Sequence, residues 1–253
     1  VQIKEYPKHL NLLAKNKHVG KLINDRSKAI LIQRASDLTN SLSRRGVSNP
    51  PWGFYIPRET PFEFVQKDGM QVDVSCIIEG KGKDILKQNF EIRVWSLDEK
   101  LSYREGIDSP ELRDELQSSN WKRVISRFHF DLRMEKDKEK IPEPICHLQV
   151  GGDSGTCVTN GEQDIKENCW HPDKIRVPRF FHLPYDMVMM CEFILVNFFP
   201  TETEDLRKRH EWIRLVKDSE ELFCRPYFEK YISYFNDNKQ TLLGHLISTQ
   251  IHT

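Results

Sequence analysis

Along the chain, apolar residues fall first into a helical rhythm, then into strict alternation, then back into a helical one. Residues 8–45 contain no proline and one glycine, and their apolar positions recur at helical spacing. Val19, Leu22, Ile23 and Ile30 form one stripe, while Leu31, Ala35, Leu38 and Leu42 form another, rotated around the axis. That change predicts either two helices meeting near Asp25–Ser27 or one helix packed against two partners. Gly46 and the Asn49-Pro50-Pro51 run end the region.

From about residue 62 to 150 the period becomes two, which indicates strands. Val72, Val74, Cys76 and Ile78 oppose Asp73 and Ser75; Phe90, Ile92 and Val94 oppose Glu91, Arg93 and Trp95. Val124, Ser126, Phe128, Phe130 and Leu132 oppose Arg123, Arg127, His129, Asp131 and Arg133, and Cys146, Leu148 and Val150 oppose His147 and Gln149. The Glu79-Gly80-Lys81-Gly82 connection suits an antiparallel meander with one apolar face, which flanking helices must cover. After Gly151-Gly152 no periodicity returns until Pro184, and so long a stretch points to a functional, metal-organised or mobile loop.

Helices are expected again at about 185–199, from a Thr201/Glu204 capping box to about Lys217, at 219–236 around Pro226, and at 239–250. The longest apolar run, Met187 to Phe199, contains Glu192 and Asn197 and is shorter than the about 20 residues a bilayer requires, so it reads as a core helix. The fold class is therefore α+β. An N-terminal helical segment (1–50), a central antiparallel sheet of four to five strands with the aperiodic loop (51–183) and a C-terminal helical cap (184–253) form one integrated domain.

Composition adds exclusions. The 253 residues can bury a sizeable core, and 10% aromatics is foreign to disordered chains. Six cysteines without a CxxC pair do not make a disulfide scaffold, and VQIKEYPKHL carries no apolar leader, so a reducing, cytoplasmic setting is expected. The 38 Lys/Arg and 38 Asp/Glu cancel overall, but residues 1–50 hold ten basic against three acidic side chains, leaving +7 there and −7 elsewhere. Within that basic segment Lys17, Lys21 and Lys28 fall opposite the first apolar stripe, as a solvated face or an anion contact.

The polar side of the sheet carries the strongest functional pattern. Arg127, His129, Asp131 and Arg133 share a row, with His147 and Gln149 on the next strand and Arg93, Glu91 and Asp73 beyond. Arginine, histidine and glutamine recognise phosphates, bases and carboxylates directionally. The leading expectation is a non-catalytic subunit binding nucleic acid or a protein partner through Arg93, Arg127, Arg133 and Gln149 together with Lys17, Lys21 and Lys28. The alternative is a phosphodiester-cleaving hydrolase with His129 as base or metal ligand, Asp131 orienting it and His147 as acid. The triplets His129-Phe130-Asp131 and His147-Leu148-Gln149 lack the His-x-Ser/Thr repeat of two-histidine phosphoesterases.

No cofactor is expected, and two metal arrangements stand behind that reading as lesser alternatives. Asp73 followed by Glu79-Gly80-Lys81 fits a carboxylate plus E-x-K for a divalent ion, although the triplet falls in a turn. Cys157, Cys169 and His171, near Cys146 and His147, offer zinc-type ligands without the usual CxxC knuckle. Gly151-Gly152-Asp153-Ser154-Gly155 lacks the following lysine of a phosphate loop, so no nucleotide site of that kind is read. Tyr227, Phe228, Tyr231, Tyr234 and Phe235 crowd one C-terminal helix as core or partner interface, which leaves an obligate subunit of a larger assembly as a third possibility.

Overall fold

Two asparagines decide where the N-terminal helices stop and start. The computed structural model describes residues 2–43, 50–65, 67–82, 84–97, 122–133, 146–150, 158–159, 164–165 and 179–235. Helix α1 (Tyr6–Lys15) carries Pro7 in its first turn, where a missing N–H is harmless, and buries Tyr6, Leu10 and Leu13 along one stripe. It ends at Asn16, whose side-chain oxygen accepts the backbone N–H groups of His18 and Val19 at 2.9 and 3.1 Å. Helix α2 (Asp25–Leu42) begins after Asn24, whose side chain accepts the Ser27 N–H at 2.7 Å.

The break thus spans Asn16–Asn24, upstream of the expected Asp25–Ser27 junction. Val19, Leu22 and Ile23 are buried residues of the connection, not a helical stripe, whereas Leu31, Ala35 and Leu38 do line the buried face of α2. Lys17 and Lys21 sit in the connection and Lys28 in α2, so the anticipated lysine face does not exist as one side of a helix. The start of α2 is pinned to the sheet. Asn24 donates to the Glu63 carboxylate at 2.8 Å, and the Ser27 hydroxyl bonds both the N–H and the carbonyl of Glu63.

The strands are β1 (Pro51–Ile56), β2 (Phe62–Glu63), β3 (Met70–Lys81), β4 (Asp84–Ser96), β5 (Lys122–Arg133), β6 (Cys146–Val150), β7 (Val158–Thr159), β8 (Asp164–Ile165) and β9 (Arg179–Phe181). They pair antiparallel in the order β1-β3-β4-β5-β6-β9; β2 also lies on β3, and β7 and β8 form a short pair beside β5. The predicted meander is its centre, β3 to β6. Among the described residues the sheet is wider than the four to five strands expected, because β1 and β9 extend its two sides. Pro51 opens β1 at an edge, where its missing donor costs no ladder bond.

Alternation holds along Val72–Ile78 of β3 and Phe90–Val94 of β4 but slips in β5. Val94 pairs with Ser126 while Trp95 pairs with Val124, so Ile125 is an extra, exposed residue. This bulge puts Val124 opposite Trp95 and takes it out of the apolar row of Phe128 and Phe130, where strict alternation had placed it.

The apolar face of the sheet, with Val74, Cys76, Ile78, Phe90, Ile92 and Phe130, merges with the helices into one core. Leu10 and Leu13 of α1, Leu31 and Leu38 of α2, and most of α3 (Met187–Phe198) contribute, followed by Trp212 and Phe223 of α5 (His210–Phe235). The short α4 (Glu204–Arg207) starts at Thr203, not at Thr201. Thr203 is buried and donates to the Phe199 and Leu195 carbonyls at 2.7 and 3.3 Å, so it finishes α3 instead of capping α4. The two helices expected on either side of residue 218 are one, since α5 runs through Pro226. The helix expected at 239–250 lies outside the described residues. Among the described residues no helix is long and apolar enough to cross a membrane.

Candidate functional site

The polar side of the sheet is a lattice of paired charges. Asp73 and Arg93 face each other across β3 and β4, and Arg93 donates to both Asp73 oxygens at 2.8 and 3.2 Å. The Trp95 indole N–H adds a third bond to that carboxylate at 2.6 Å, while the Arg93 guanidinium lies 5.1 Å from the indole ring centroid. Arg93 and Arg127 are direct cross-strand neighbours, a pairing of like charges that each relieves by turning to a different carboxylate. Arg127 donates to Glu91 at 2.7 Å.

Glu91 has a second cation that sequence patterning did not single out. Residues 57–61 form a turn between β1 and β2, closed by a Thr60 N–H to Pro57 carbonyl bond at 3.2 Å. The turn carries Arg58 to 2.5 Å from Glu91, and the Arg58 carbonyl accepts from Arg93 at 3.4 Å. Arg58 follows no strand periodicity. No signal in the sequence singled it out, because Arg93 and Arg127 already match Asp73 and Glu91 one to one across the strands.

The expectation of an open Arg/His surface is therefore corrected. Asp73, Glu91, Arg127 and Asp131 are buried, and an incoming phosphate would compete with carboxylates already bound to Arg93 and Arg127. Arg133 stands at the end of β5 opposite Lys87, and Gln149 is half-buried opposite His129.

The His/Asp/His residues are brought to neighbouring positions. His129 Nδ1 lies 3.4 Å from Asp131 Oδ2, and the register of β5 and β6 sets His147 opposite Asp131. Asn89 completes the group. Its amide nitrogen reaches Asp131 Oδ1 at 2.7 Å and His129 Nε2 at 2.6 Å, which uses both amide hydrogens. His129 then accepts at Nε2 and carries its proton at Nδ1, toward Asp131. The ring is oriented as a general base would be, yet its lone pair is occupied by Asn89.

The carboxylate arrangement does not assemble: among the described residues no group of three or more His, Cys, Asp or Glu could hold an ion. Asp73 and Glu79 are six residues apart on one strand, about 20 Å, too far to share a cation. Glu79 instead accepts from the Tyr55 hydroxyl at 2.9 Å, and the E-x-K triplet straddles a register shift at Glu79/Gly80 just before the hairpin. Cys157, Cys169 and His171 lie outside the described residues. Cys146 is buried, with its sulfur 3.7 Å from the ring nitrogens of His182.

The helical layer presents a second feature. A groove of about 940 Å³ lies between α3 and α5, lined by Leu183, Tyr185, Met189 and Phe193 among others. Three large apolar residues on its walls are exposed: Val196 at 37%, Phe228 at 45% and Ile232 at 59%. Asp186 fixes the junction of the two helices. It caps α3 by accepting the Met189 N–H at 2.8 Å and accepts the Ser219 hydroxyl of α5 at 2.7 Å. Burial pushes its carboxyl up to about 6, against the pull of those hydrogen bonds. Comparison with protein-family models, curated proteins and solved structures gives no match, so the functional reading rests on this geometry.

Proposed function

We propose that this chain is a non-catalytic binding subunit that engages a protein partner through the groove between α3 and α5. The supporting observation is the convergence of exposed Val196, Phe228 and Ile232 on one concave site, since apolar residues gathered in a groove mark partner contacts more than scattered ones do. The nucleic-acid form of the binding idea has less support, because Arg93 and Arg127 are held by Asp73 and Glu91.

The test is selection of a displayed library of random 16-residue peptides on the protein, with the double variant V196D/I232D as counter-selection. Enriched peptides that the variant no longer retains support the proposal. No enrichment, or enrichment indifferent to the variant, overturns it. So does binding of mixed-sequence oligonucleotides that weakens linearly in log K with log salt, because that behaviour belongs to a phosphate-binding surface.

A hydrolytic role is the second reading, favoured by the register that sets His129, Asp131 and His147 side by side. It requires Asn89 to leave the His129 lone pair during turnover. Phosphodiesterase activity on mixed DNA and RNA that disappears in H129A/H147A supports it, and absence of activity in the unaltered protein removes it.

A further inference from the structure

From the charge around the same groove we infer the chemistry of its occupant: an amphipathic helix of a partner protein, with lysines or arginines flanking its apolar stripe. The inference rests on the groove being a protein contact. A groove lined by two neighbouring helices seats a third helix by ordinary ridge-into-groove packing. The α5 wall from Val216 to Ile232 is about 24 Å long at 1.5 Å per residue, enough for about four turns of a bound helix.

The rim is acidic. Glu192, Glu220, Glu221 and Glu229 line it against Lys217 and Arg225. Two of these carboxylates are already engaged, Glu221 with Arg225 at 2.5 Å and Glu192 with the Trp212 indole at 2.6 Å. Glu220 and Glu229 make no ion pair among the described residues, and both sit on the α5 side of the trough. A basic flank on the incoming helix meets them at the rim, where charge governs partner choice and association rate more than total affinity.

The experiment uses two fluorescent 18-residue peptides with the same leucine stripe at helical spacing, one with lysine flanks and one with glutamate flanks. Each is titrated into the full chain at low and at physiological salt. The lysine peptide is expected to bind at least tenfold more tightly at low salt. That preference should collapse in E220K/E229K, and both peptides should lose binding in V196D/I232D, which alters only exposed positions.

Equal affinity for the two peptides overturns the basic-helix inference and leaves the groove as a protein contact. A preference that survives E220K/E229K also overturns it, by placing the charge recognition elsewhere. Binding of neither peptide, with no peptide enriched in the library selection, removes the groove reading itself. A dimer seen by ultracentrifugation and abolished by V196D/I232D makes the occupant a second copy of this chain and overturns the inference.

Discussion

The hydroxyl of Ser219 on α5 donates to the carboxylate of Asp186 at 2.7 Å, and neither residue is exposed to solvent. One carboxylate thereby caps α3 and tethers α5 while bearing the desolvation that raises its pKa to about 6 from an ordinary 3.8. Below the ordinary value both folded and unfolded chains are protonated there. Between the two values only the folded chain keeps the proton, so the contribution of Asp186 to stability is lost as pH rises through about 6. D186N keeps an acceptor but cannot ionise. Urea midpoints at pH 4 and pH 7.5 should show the variant gaining on the unaltered protein by up to about 3 kcal/mol at the higher pH, since each tenfold change in proton affinity is worth about 1.4 kcal/mol. Parallel pH profiles for the two proteins contradict this.

Glu91 is buried and faces two arginines of different exposure, Arg127 nearly buried and Arg58 about half exposed. R58A removes a partner that water replaces and should cost about 1 kcal/mol or less. R127M should cost about 3 kcal/mol, the low end for breaking a buried pair, because Arg58 still neutralises the carboxylate. The double variant leaves Glu91 without either, so its loss should exceed the sum of the single losses by about 1 kcal/mol or more. Strict additivity in a double-mutant cycle argues that the two arginines do not share Glu91.

Two glycines in the edge region differ in what surrounds them. A Cβ on Gly80 would come within 2.5 Å of the Asp84 carbonyl oxygen and would collide with the Trp52 ring, which is itself held by a 2.9 Å bond to the Gly82 carbonyl. The nearest atoms to a Cβ on Gly53 belong to the outer part of the exposed Tyr55 side chain, which can swing away at the cost of its surface bond to Glu79. G80A should therefore destabilise by about 2–3 kcal/mol and perturb tryptophan fluorescence, whereas G53A should cost about 1 kcal/mol or less. Equal midpoints in denaturant refute the distinction.

Cys76, Cys146, Cys191 and Cys224 are free, buried thiols whose pKa values burial pushes upward, Cys224 to about 12. Alkylation needs the thiolate and access to it, and these four have neither. Iodoacetamide at pH 8, read by peptide mass spectrometry, should leave all four unmodified in the folded protein and modify them in urea. Rapid labelling of Cys224 in particular would place it on the open side of the groove that it lines.

The centre of the fold was readable from alternation alone. Val72 to Ile78 and Phe90 to Val94 face the core as their period requires, and the second helical stripe, Leu31 to Leu38, packs as expected. What alternation could not carry were single-residue events. The Asn16 and Asn24 turns are made by side chains reaching local backbone, and the Ile125 bulge changes face without changing composition. Strand β1 was hidden because prolines that end a helix can also open an edge strand. The polar row was located, but its charge state was not, since only the tertiary approach of Arg58 and the cross-strand turns of Arg93 and Arg127 reveal that it is internally neutralised.

The hydroxyl of Tyr6 accepts the N–H of Met187, joining residues 181 positions apart. The first helix is thus completed by the third, and the sheet they both cover gains part of its apolar cover only when the C-terminal helices arrive. During synthesis the strands are complete by Phe181, whereas the helices that finish their cover emerge only from Met187 to Phe235, so part of the apolar face waits on long-range contacts that form late. A chain cut off before Met187 should accordingly expose this apolar face and aggregate, although every strand of the sheet is present in it.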